Sequence, residues 1–179
     1  MKHLPWAVFA LALAQACGDG KHQVADRATA TDTIAAAEPA DALTDLAPYD
    51  LPLTVRIPPA QITAGATPEL GWNEDEGWFG VRAGDHFAIR ITEEPGDVAR
   101  LKTDLDRDLV RKHTVITETP ELLVYQSRFP DDPSLVFVHF YRVLHVGERT
   151  FVVENDPQGR FNATDIERMR TAVDPDLPA

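Results

Sequence analysis

The residues able to do chemistry in this chain are few and scattered. Its single cysteine, Cys17, stands at the exit of the only long apolar run, in the stretch LALAQACGDG from Leu11 to Gly20. Its serines are Ser127 and Ser134, and neither lies in a sharp nucleophile turn, so serine hydrolysis has no evident attacking group. No glycine loop of the phosphate-binding kind is present. His139 and His145 share a side of one extended segment but are roughly 20 Å apart, too far for one metal ion. His86 and His113 are the histidines that folding could bring together. Asn73-Glu74-Asp75-Glu76, and Asn155-Asp156 with Asp165, offer oxygens to calcium without the spacing of a calcium loop. Trp72, Trp78 and Phe79 flank the first acidic patch, where aromatic residues either form a recognition surface or close the edge of a core. The expectation is no catalytic residue, no metal and no cofactor.

Composition narrows the partners. A chain of 179 residues accommodates one domain with a core of its own and some appendages. One cysteine excludes an internal disulfide framework. Asp and Glu number 29 against 17 Lys and Arg, a formal net charge of -12, so a nucleic-acid backbone would be repelled and no nucleic acid is expected as a partner.

The N-terminus has a more specific pattern. Lys2 supplies a positive start, and Leu4 to Ala14 is apolar apart from Pro5. That length suits a signal-peptide core and falls short of the roughly 20 residues a membrane-spanning helix needs. Pro5 and the polar exit through Gln15 and Asp19 argue against a helix packed inside a domain. Leu13, Ala14, Gln15, Ala16 and Cys17 resemble the lipobox of bacterial lipoproteins, with Gln15 in place of the more usual small residue. The resemblance implies cleavage between Ala16 and Cys17, a diacylglycerol on the Cys17 sulfur and acylation of the new N-terminus. Sulfur is the nucleophile that accepts the lipid. At about 0.8 kcal/mol per buried methylene, two or three chains anchor durably where one holds weakly. The implied place is the bacterial cell envelope, held to the membrane through lipid on Cys17. Gly18 following the cysteine favours the outer membrane, facing the periplasm or the cell surface.

The elements that would position any site come after this anchor. Residues 1–16 read as a signal peptide and 17–47 as a lipidated cysteine with an Ala/Thr/Asp-rich tether, too poor in large apolar residues to offset its ordering entropy. A short helix near Ile34 to Leu46 is the competing reading of that stretch. The globular domain is expected over 48–175, with 176–179 as a tail. Leu53, Val55 and Ile57 alternate as a half-buried strand stopped by Pro58-Pro59, and a short strand around Gln61 to Ala64 would pair back. WFGVRAGDHFAIRITEE reads as two strands turning at Ala83-Gly84-Asp85, with Phe87, Ile89 and Ile91 on one face. Asp97 caps a helix whose stripe is Val98, Leu101, Leu105 and Leu109. Strands then flank Thr119-Pro120-Glu121, and a long strand apolar on both sides, LVFVHFYRVLHV, turns near Gly147 into a returning one. Asn162 caps the last helix with Asp165 at its third position and a Phe161 to Ile166 staple; Ile166, Met169 and Val173 form the stripe and Pro175 ends it.

This order predicts an α+β domain, a mostly antiparallel sheet packed between helices. From about Tyr49 to Val173 it resembles the Mog1/PsbP-like sandwich of small extracytoplasmic proteins; the resemblance is one of topology and carries over no site. Three functions fit. The first is a non-enzymatic envelope protein that binds another envelope protein or serves an assembly. The second is a periplasmic carrier or sensor of a small apolar ligand, which would need a pocket lined by Phe137, Tyr141 and Leu105. The third is an enzyme whose cleft gathers His86 or His113 with carboxylates.

Overall fold

Alternating apolar residues build most of the domain, and the helices cover what the alternation leaves exposed. The computed structural model describes residues 41–175. Leu13 to Cys17, the signal-peptide segment, most of the tether and the tail 176–179 lie outside the described residues. The chain runs β1 (Ala42–Asp45), a 3-10 turn (Ala47–Tyr49), β2 (Thr54–Ile57), α1 (Ala60–Thr63), β3 (Glu69–Asn73), β4 (Trp78–Arg82) and β5 (Ala88–Glu93). It continues through α2 (Val98–Asp106), β6 (Lys112–Thr119), β7 (Leu122–Phe129), β8 (Asp132–Val146), β9 (Arg149–Asn155), α3 (Ala163–Arg170) and β10 (Val173–Asp174). One sheet has the order β1-β2-β10 and the other β3-β4-β5-β9-β8-β7-β6. All pairings among the described strands are antiparallel. No described helix is long and apolar enough to cross a membrane.

Partners across a ladder share a face, so the register sorts the side chains. Phe79 and Val81 of β4, Ile89 and Ile91 of β5, Phe151 and Val153 of β9 and Phe140 of β8 face the main core. Val55, Ile57, Phe161, Ile166 and Met169 pack there from the small sheet and α3. On the other face α2 lays Val98, Leu101 and Leu105 against Leu123, Tyr125, Tyr141 and Val143. The sheet therefore lies between helices, as the element order predicts.

Five expectations need correction. Residues 42–45, assigned to the tether or to a helix, form β1, which zips onto β2, and Leu46 beyond it is fully buried. Ladder bonds and that burial outweigh the helix preference of alanine, and the folded region begins ahead of residue 48. Gln61 to Ala64 is not a strand: Pro59 stands at the N-cap of α1, and Ala64 closes it at φ 53. Leu109 lies outside α2 and is 99% exposed, because the Asp108 carboxylate accepts the N–H groups of Val110 and Arg111 and turns the chain away. β8 is covered on both sides only in its second half, and Val136 remains 39% exposed. Val173 is buried in β10 against β2, not in α3, which stops at a Thr171 C-cap well before Pro175. The N-terminal cap of α3 is as expected, a reciprocal pair between Asn162 and Asp165.

Candidate functional site

The polar side chains gather on the α2 face of the large sheet. The pairs Arg90–Glu154, Glu154–Tyr141, His139–Tyr125 and Ser127–His113 set a strip of hydrogen-bonding groups across β5, β9, β8, β7 and β6. Helix α2 covers part of it.

At its β6 end stands a linked trio. His113 Nε2 lies 3.0 Å from Asp108 Oδ2, and His113 Nδ1 lies 2.9 Å from Ser127 Oγ. The backbone N–H groups of Arg111 and Val110, the His113 ring and the Arg111 guanidinium all donate to Asp108 and hold its carboxyl far below the usual range. An ionised Asp108 fixes the proton on Nε2, which leaves Nδ1 to accept the Ser127 hydroxyl. The order Asp–His–Ser is the one by which a serine hydroxyl is activated, in this trio with the two ring nitrogens exchanged. Here it is closed off: Ser127 is 1% exposed, in mid-ladder between His113 and Phe137. The trio as folded ties the α2–β6 turn to the sheet.

Beside it, His139 is 8% exposed, and the Asn155 side-chain amide donates to its Nδ1 at 3.3 Å. Burial, reinforced by Arg111 and His113, lowers its pKa to about 4, so the ring is neutral near neutral pH. Tyr125 packs on it at 5.1 Å between ring centroids, and burial pushes the Tyr125 hydroxyl up to about 12. Burial also raises the Glu154 carboxyl against the pull of Arg90. Arg90 donates to Asp156 at 3.0 Å and lies 4.4 Å over the Trp78 ring, with its Nε buried and unpaired.

Sequence reasoning missed the trio. His113 and Ser127 stand at equal distances on either side of Pro120, so the hairpin already legible there could have paired them. Asp108 became reachable only because α2 ends earlier than its apolar stripe predicts.

The aromatic surface needs correction. Trp72 and Phe79 are cross-strand partners at 5.5 Å, but Phe79 is fully buried, with Tyr49 4.7 Å away. Trp78, next along β4, points to the opposite face. Trp72, 44% exposed, and the half-buried Trp78 therefore reach the surface on opposite faces and form no single patch with Phe79. In the acidic patch, Asn73 accepts the Glu76 N–H and Glu76 accepts the Trp78 indole N–H, which makes a turn. Asp156 is occupied by Arg82 and Arg90, and Asp165 by the α3 cap, His86 and Arg168. Among the described residues no three His, Cys, Asp or Glu side chains converge as for a metal ion. His86 sits against α3 while His113 lies on the far edge strand, so the two do not meet.

Two open clefts border α2. One of about 480 Å³ lies between Glu94, Leu101 and Tyr141, and another of about 700 Å³ between Gly96, Glu118 and His145. Charged groups ring the first, and Phe137 and Leu105 line neither. No protein-family model, no curated protein and no solved structure matches this chain.

Proposed function

We propose that this chain is a lipid-anchored protein of the bacterial cell envelope, in the outer membrane, whose domain binds another protein and performs no catalysis. The observation that carries the reading is the placement of the only cysteine, Cys17, directly after Leu13-Ala14-Gln15-Ala16 at the end of an apolar run too short to span a bilayer. The domain supports a binding role through its edge strand β6, whose residues are exposed except for the half-buried His113. A sheet flanked by α2 and α3, in the order strands, helix, strands, helix, supports a Mog1/PsbP-like sandwich as the architecture.

The experiment is lipid labelling in a bacterial host. The parent chain should take up labelled fatty acid and shorten to begin at Cys17, and Cys17→Ser should take up none and keep its precursor length. Processing of Cys17→Ser at the same bond would reject the anchor.

A further inference from the structure

Strand β6 ends the large sheet: β7 pairs with one side, and no described strand pairs with the other. A bare edge presents free N–H and C=O groups and is usually short, or blunted by charges, proline or a bulge; β6 carries charges near its ends and a bulge at Ile116, and its centre is uncharged. β6 is eight residues long, its centre is Thr-Val-Ile-Thr, and Val115 and Ile116 are 39% and 56% exposed.

Its charges are sorted by end. Lys112 stands directly across from Arg128 and Glu121 lies at the other end, while Arg111 beside Lys112 is already paired with Asp108, and Glu118 with Lys102 of α2. Like charges directly opposite are unfavourable, and among the described residues neither Lys112 nor Arg128 has an acidic partner. A strand that is basic at one end and acidic at the other is complementary to its own reversed copy.

The faces agree as well, and the bulge at Ile116 is the reason. In a regular strand, residues three apart point to opposite faces. Here Thr114 pairs with Gln126 and Thr117 with Val124, two β7 residues on the same face; His113 and Glu118 share the other through Ser127 and Leu123. A reversed copy about an axis between Val115 and Ile116, normal to the sheet, therefore meets Thr114 with Thr117 and His113 with Glu118. It sets the exposed Val115 beside Ile116 and brings Glu121 to the end that holds Lys112 and Arg128.

We infer that β6 pairs antiparallel with β6 of a second copy, joining the two large sheets. This names the partner that the binding role above leaves open, and it rests on that role and not on the lipid.

The test is disulfide trapping in the full chain with Cys17→Ser, so that the introduced thiols are the only ones. Differently tagged Thr114→Cys and Thr117→Cys chains, mixed and oxidised, should give a mixed dimer in several-fold excess over either like dimer. Lys112→Glu should abolish most of the cross-link, and Lys112→Glu with Glu121→Lys should restore it. Sedimentation of the Cys17→Ser chain without added thiols guards against variants that misfold, and should give twice the monomer mass. A monomer there, or like and mixed cross-links in equal yield, overturns the pairing. Lipid labelling of the parent reads the anchor separately, so either can fail alone.

Discussion

His113 and Ser127 hold one another across the β6–β7 ladder, Nδ1 to Oγ at 2.9 Å, where the hydroxyl is shut away from solvent. A hydrogen-bonded serine in that position contributes to stability and is not presented to a substrate. Ser127→Ala should lower the unfolding free energy by about 1–2 kcal/mol, since it leaves a buried ring nitrogen without its donor. Denaturant titration measures it. A fluorophosphonate should leave the native Ser127 unmodified in peptide mass spectra, and stoichiometric labelling would show a nucleophile in place of a structural hydroxyl.

His139 makes the domain acid-sensitive in a defined window. Its pKa falls from 6.5 to about 4 on folding because burial in the sheet, beside Arg111 and His113, disfavours the cation. Above pH 6.5 both folded and unfolded chains carry a neutral ring, and the stability is intact. As the pH drops from there toward 4, the unfolded chain gains a proton that the folded chain refuses, so stability is lost, by about 3 kcal/mol when complete. His139→Gln should lose less stability than the parent over that interval, in urea midpoints taken at successive pH values. Parallel acid profiles for the two proteins would remove His139 as a cause.

Gly96 sits at φ 53, where the chain enters α2, close over the sheet. A β-carbon there would come within 2.8 Å of a Val143 methyl and 2.9 Å of a Val152 methyl, both side chains being buried. Gly96→Ala should destabilise by about 1–3 kcal/mol through combined backbone strain and overpacking. Gly71→Ala, whose β-carbon meets nothing within 4 Å, is the control and should leave the melting temperature nearly unchanged. Equal shifts in the two variants would refute the packing argument.

What the sequence discloses follows from the range of each interaction. Alternation and turn residues are local, so the hairpins β4–β5, β6–β7 and β8–β9 and the Asn162 cap are legible residue by residue. β1 was hidden because Ala42–Asp45 has no intrinsic reason to extend: its partner β2 and the burial of Leu46 decide it. The end of α2 was hidden because one side chain, Asp108, outbids the apolar stripe for the backbone N–H groups beyond it. The polar strip was hidden for a third reason. Its members come from five strands, and only the order β5-β9-β8-β7-β6, a property of the whole sheet, places them side by side.

Trp72 and Phe79, adjacent in the β3–β4 ladder, should separate recognition from folding. Phe79 is fully enclosed between Ile91, Trp72 and Tyr49, so Phe79→Ala empties a core site and should cost about 3–5 kcal/mol. Trp72 is 44% exposed on strand β3, at the other end of the sheet from β6, and Trp72→Ala should cost under about 1 kcal/mol. If Trp72 is a contact for an envelope protein, its truncation weakens capture of that protein while the melting curve stays in place. Because β6 is the strand that pairs two copies, Trp72→Ala should also leave the mass in sedimentation unchanged. A large loss of stability in Trp72→Ala would instead make the indole a lid on Phe79, and the recognition surface would have to be sought elsewhere on the domain.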